Sequence, residues 1–177
     1  YTIATDGTFG EAKVVFENVD GPDRGGGPLI GGETIEVGSY AAGTQLGLAL
    51  LQDAASESVD LSNGTLEFRA ADGTPATVSD AAPPELYLVA SDGSETKIDV
   101  PIFHTADGSP SDAATNPLNP GGAEHTISAV DDDGNVVIGF EDVVSTAKNF
   151  DGDYNDAVFE VEFKSADGEP QPPVTEP

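Results

Sequence analysis

Hydrophobic and polar residues alternate along this chain in short bursts: "AKVVFENV", "ETIEVGSY", "QLGLALL", "GTLEFRA", "PELYLVA", "KIDVPIF", "HTISAV", "NVVIGFED" and "AVFEVEF". Between them recur Asp-Gly and Asn-Gly pairs, among them Asp6-Gly7, Asp20-Gly21, Asn63-Gly64, Asp72-Gly73, Asp92-Gly93, Asp133-Gly134, Asp151-Gly152 and Asp167-Gly168. Such pairs accept the positive φ of tight hairpin turns. Short β-branched and aromatic runs at this spacing predict roughly eight or nine antiparallel strands, an all-β sandwich or jelly-roll-like fold. In the last burst Phe159, Val161 and Phe163 alternate with Val158, Glu160 and Glu162, which predicts one buried face and one wet face.

One segment is ambiguous. "GTQLGLALLQDAA" places Leu46, Ala49 and Leu50 at helical spacing, but Leu46, Leu48 and Leu50 also alternate, and Gly43 and Gly47 weaken a helix. Strand is the reading adopted. The polar stretch 105–124, "TADGSPSDAATNPLNPGGAE", predicts a long surface loop of the kind that often carries function. From Ser165 the acidic, Pro-rich "SADGEPQPPVTEP" predicts an extended linker, leaving residues 1–164 as one domain and 165–177 as the tail. The triplet "ADG" recurs at unequal spacing, as turn chemistry rather than as a structural repeat.

Composition narrows the partners. Six Lys and Arg stand against 33 Asp and Glu, a formal net charge of -27, so nucleic acid and anionic membrane surfaces are repelled and cations attracted. A salt-adapted, solvated surface would have the same balance. Without Cys there is no disulfide, thiolate metal site or Cys nucleophile. No apolar run approaches the ~20 residues of a membrane span, and no basic-then-apolar signal peptide opens the chain. A start at Tyr1 rather than Met reads as a piece of a longer protein, a monomeric module in a multidomain chain.

The charge is densest in "NFDGDYNDAVFEVEF", residues 149–163, directly before a strand. Asp151, Asp153 and Asn155 alternate in a Gly-containing turn, as the first ligands of a calcium loop do, and hard oxygen donors without soft ones point to Ca²⁺. An EF-hand does not fit, because its Gly is missing and a strand follows. Glu162 is therefore expected to face solvent, and Glu141 and Asp142, at the end of the preceding strand, to supply the missing ligands. The alternative is a hydrogen-bonded Asx turn. "DDDGN" repeats the spacing in Asp131, Asp133 and Asn135 but is also an ordinary hairpin turn; Glu17, Asn18, Asp20 and Asp23 form a weaker patch. His104 and His125 flank the long loop; without a Cys or a nearby second His they read as packed residues, His125 pinning the loop. No nucleophile elbow, phosphate loop or His-containing metalloprotease motif is present, so the reading is not an enzyme.

The ordered blocks "LNPGGAEH", "IGFEDV" and "DGDYNDAVFEVEF" resemble the Gly-Phe-Glu-Asp … Asp-x-Asp-Tyr-Asn-Asp signature of a bacterial extracellular β-domain family found in calcium-dependent RTX adhesins, where a related module binds peptides. The resemblance spans about residues 116–163 and departs from the pattern at Val143 and in "VSTAKNFDGD". It implies Glu141, Asp142, Asp151, Asp153, Asn155 and Asp156 as ligands of several Ca²⁺ ions, with Asn119 and His125 beside them and a secreted or cell-surface location. Calcium with open coordination positions can take oxygens from a guest. A peptide or protein terminus, held near Asp153, Asp156, Asn119 and His125, is the first expectation. A calcium-dependent lectin lacks aromatic platforms here, with no Trp and four Tyr. A calcium-stiffened spacer has little need for the 105–124 loop.

Overall fold

The computed structural model describes residues 1–19, 32–54, 61, 63–107 and 115–165. Among the described residues ten strands run in order: β1 (Thr2–Ile3), β2 (Gln45–Leu46), β3 (Ala49–Leu51), β4 (Thr65–Arg69), β5 (Glu85–Val89), β6 (Glu95–Ile98), β7 (Ile102–His104), β8 (Thr126–Val130), β9 (Val136–Phe140) and β10 (Ala157–Val161). Every strand pairing is antiparallel, in sheets ordered β1-β2, β3-β7, β4-β5-β6 and β10-β9-β8. The fold is all-β. No helix of the described residues is long and apolar enough to cross a membrane.

Alternation explains the β4-β5-β6 sheet. Phe68 stands opposite Leu86 and Leu86 opposite Ile98, and all three are buried in one core with Phe9, Leu66, Ile102 and Leu118. The intervening residues carry scarce positive charge: Arg69 forks onto Glu67 and Glu95, each at 2.8 Å, and lies 4.7 Å from the Tyr87 ring, while Lys97 holds Glu85 at 2.7 Å. Successive side chains on a strand point to opposite faces. In β7 this places Ile102 in the first core and Phe103 in a second, with Leu50, Ile138, Phe140 and Ala157. The β3-β7 ladder thus divides two cores, and all of β7 is buried.

Several sequence expectations change. "GTQLGLALLQDAA" is strand, as two short pieces (β2, β3). "AKVVFENV" contributes one isolated bridge, Ala12 to Leu66, and "ETIEVGSY" no strand, because neither gains a ladder partner among the described residues. "KIDVPIF" breaks into β6 and β7 at Asp99–Pro101, since Pro cannot donate to a ladder. β10 stops at Val161, so Phe163 is exposed although the alternation places it on the buried face; Glu162 is exposed as expected.

The stretch 105–124 is not uniformly at the surface. Asn116, Leu118 and Asn119 are fully buried. Asn116 Nδ2 donates to the Ala106 carbonyl at 2.9 Å, its Oδ1 accepts from Leu118 N at 3.1 Å, and Asn119 Oδ1 accepts from His104 N at 2.6 Å. Side-chain amides take the place of a sheet partner and let an irregular segment be buried with its backbone satisfied. Residues 108–114 of this stretch, Asp20 and Asp23, and the tail from 166 lie outside the described residues.

Candidate metal centre

Ordinary turns of this chain use their aspartates internally. Asp6, Asp72 and Asp92 each accept the backbone N–H two residues ahead, at 3.0, 3.0 and 2.9 Å, and these bonds hold their carboxyls below the usual range. Asp131 behaves the same way: its Oδ1 accepts from Asp133 N and Asn135 N, and Asn135 Nδ2 goes on to Glu160 at 2.8 Å. Asp131 therefore locks the β8–β9 hairpin, and neither it nor Asp133 joins a cluster of three acidic side chains among the described residues.

The segment after β9 is built differently. Glu141 N donates to His125 O at 2.9 Å, carrying the β8-β9 ladder one residue beyond Phe140. Asp142 N donates to Asp156 Oδ2 at 3.0 Å, and Gly152 N to Glu141 Oε2 at 2.9 Å, so the loop returning to β10 folds back over the end of β9. Glu141 is 1 % exposed, a buried carboxylate whose pairing requires explanation. One oxygen each from Glu141, Asp151 and Asp153 lies within 4.8 Å of the others, and the same holds for Glu141, Asp142 and Asp156. Glu141 is common to both groups. Among the described residues no Lys or Arg pairs with Glu141, Asp151, Asp153 or Asp156. Asn155 donates from N and Nδ2 to the Asp153 carboxylate, at 3.1 and 2.6 Å, and holds it in an Asx turn.

Two backbone features shape this loop. Gly152 (φ 67°) and Tyr154 (φ 56°) are both left-handed; for Tyr that conformation costs about 1–2 kcal/mol. The sequence signal for Tyr154 was absent, because only Gly and Asn advertise positive φ. Both histidines are buried, as expected. His125 stacks on Phe103 at 4.3 Å, meets Phe150 edge-on at 5.8 Å and brings Nδ1 within 3.3 Å of the Glu141 carbonyl, tying the 115–125 segment to the acidic loop. His104 sits among Tyr1, Phe9 and Phe68, where burial pushes it down to about 3. The buried His104 Nε2, Asn119 Nδ2 and His125 Nε2 lack hydrogen-bond partners.

The donor set fits a divalent cation: five carboxylates, no nitrogen or sulfur, and a buried member shared between the groups. Burial first, and then the neighbouring Asp156 and Asp151 charges, raises Glu141 above the ordinary glutamate value of 4.5. The folded chain then binds this proton more tightly than the unfolded chain. Without metal, Glu141 favours folding below 4.5, and that contribution is lost as pH rises through its raised folded value. Chelator-treated protein is accordingly expected to gain more stability between neutrality and 4.5 than E141Q does, measured by urea unfolding across pH. The turn aspartates act in a separate window, below 3.8, where protonation costs stability.

No curated protein and no solved structure matches this chain. A family profile does, over residues 41–164, which takes in β2 to β10 and the whole acidic loop. The chain belongs to the family described as a domain of unknown function, DUF4114.

Proposed function

We propose that this chain is a non-catalytic, calcium-dependent binding module of an RTX-type bacterial surface adhesin, secreted and displayed outside the cell, which holds a peptide or protein C-terminus through bound Ca²⁺. The observation that carries this reading is the buried Glu141 shared by two groups of carboxylates, with no Lys or Arg beside it among the described residues. Calcium takes six to eight oxygens, more than either trio supplies with one atom each, so water or a guest completes the shell. Asp153 and Asp156 are exposed, on the side from which a guest would enter. With a net charge of -27, a free carboxylate is attracted only where bound metal reverses the local sign.

The neighbouring surface suits an extended guest. A concavity of about 380 Å³ is lined by Ala81–Pro83, Thr115, Pro117, Asn119 and Gly121–Gly122. Gly121 abuts Ser145, in the segment leading to the acidic loop. We read the four sheets, with a core on either side of β3-β7, as a sandwich of jelly-roll type that presents this loop at one end. Immobilised peptides with free or amidated C-termini test the reading. The free acid is expected to retain the protein in calcium and release it in chelator, with the amide retaining little. Equal retention of both forms rules carboxylate capture out.

A further inference from the structure

A glycine interior to a strand gives up packing and backbone order unless another group needs its space. Gly139 is such a residue, next to last in β9, paired with Ile127 on one side and Val158 on the other. A Cβ at Gly139 would stand 2.3 Å from the Tyr154 carbonyl oxygen and 3.3 Å from Ile127 Cγ2. The acidic loop therefore rests its backbone on the last residues of β9, the middle strand of the β8-β9-β10 sheet. It does so at Tyr154, the residue whose left-handed backbone turns the chain between Asp153 and Asp156. Glu141 follows two residues after Gly139, one past the end of β9, and Gly152 N reaches its carboxylate.

We propose that Gly139 is the positioning residue of the metal centre: its missing side chain lets the Tyr154 carbonyl seat on β9, which fixes Asp153 and Asp156 against Glu141. This rests on the calcium reading above. Any side chain at 139 lifts the loop, because its obstacle is backbone that cannot rotate away. Asp153 and Asp156 then separate from Glu141, while the sheet, whose ladder does not involve this side chain, stays paired.

The test measures calcium affinity by titration calorimetry, beside melting temperature in chelator. For G139A, affinity is expected to fall about 10–100-fold, the range for residues that orient metal ligands, with the chelator melt close to wild type. G64A is the control: its Cβ would lie 2.5 Å from the Val89 carbonyl, in the β4-β5-β6 sheet, so it should lower the melt alike in calcium and chelator and leave affinity unchanged. Should G139A not fold, Tyr154 addresses the same contact from the loop. Y154V, β-branched, resists the left-handed turn and is expected to lose affinity. Wild-type affinity in G139A or Y154V overturns the proposal. A wild-type chain indifferent to calcium removes the reading beneath it, and is recognised by the absence of saturable binding before any variant is compared.

Discussion

Replacing Glu141 by Gln is expected to abolish most of the calcium-induced rise in melting temperature while leaving the chelator-treated protein as stable as wild type, or more so. Glu141 belongs to both acidic groups, so its loss weakens every ion held there, whereas Asp151 or Asp142 serves one group only. At a free ion level of 100 times the dissociation constant, one site adds about 2.7 kcal/mol to folding. For a chain of this length that is roughly 5–10 °C in melting temperature. The amide keeps an oxygen for Gly152 N but removes a buried charge that Asp156 and Asp151 oppose, which is why the metal-free protein does not suffer. Melting wild type and E141Q in calcium and in chelator checks it. A variant that loses stability equally in both conditions would make Glu141 a structural carboxylate with no metal to bind.

The largest loss of stability is expected from Phe103→Ala. Phe103 is fully buried in the second core, and its ring carries His125. Truncating a buried Phe costs about 3–5 kcal/mol in transfer and cavity terms. Urea unfolding in chelator should show a lower midpoint at similar slope. Phe163→Ala, by contrast, removes a ring that is 41 % exposed and should change stability by no more than ~0.5 kcal/mol. A simple reading of the alternation ranks these two phenylalanines alike; their difference measures the two-core arrangement around β7.

That contrast also marks how far the sequence was legible. Period-two alternation is matched by burial in β4 and β10, whereas β8 is mostly exposed and β9 ends in three successive buried residues, so the flanking turn residues do more to locate those two. It overreaches where partners are missing, as at Phe163 and in "ETIEVGSY", since a strand depends on a ladder that no local pattern encodes. It also merges β7 with β6 in "KIDVPIF", because β7 is three buried residues between two cores, and neighbours on both faces remove the alternation that would mark it as a separate strand.

The acidic site was legible in part for the same reason. Spacing brought Asp151 and Asp153 together with Glu141, and the extended β8-β9 ladder explains why Glu141 lies within reach of residues ten and more positions ahead. Asn155 is expected among the ligands from its spacing, and the structure adds that its N and Nδ2 donate to the Asp153 carboxylate in an Asx turn. The role of Gly139 was advertised only as an unexplained glycine inside a strand, and that of Tyr154 by nothing in the sequence. Backbone approaches between distant segments leave that kind of faint trace. Asn116 and Asn119 read as loop residues until their amides are seen bonded to the backbone of Ala106 and His104.

Calorimetric titration of chelator-stripped wild-type protein and E141Q with calcium tests the central claim most directly. Saturable binding to wild type, with at least one ion per chain, and its loss in E141Q is the predicted result. Binding that is absent in wild type, or that survives unchanged in E141Q, would contradict a metal centre built on Glu141.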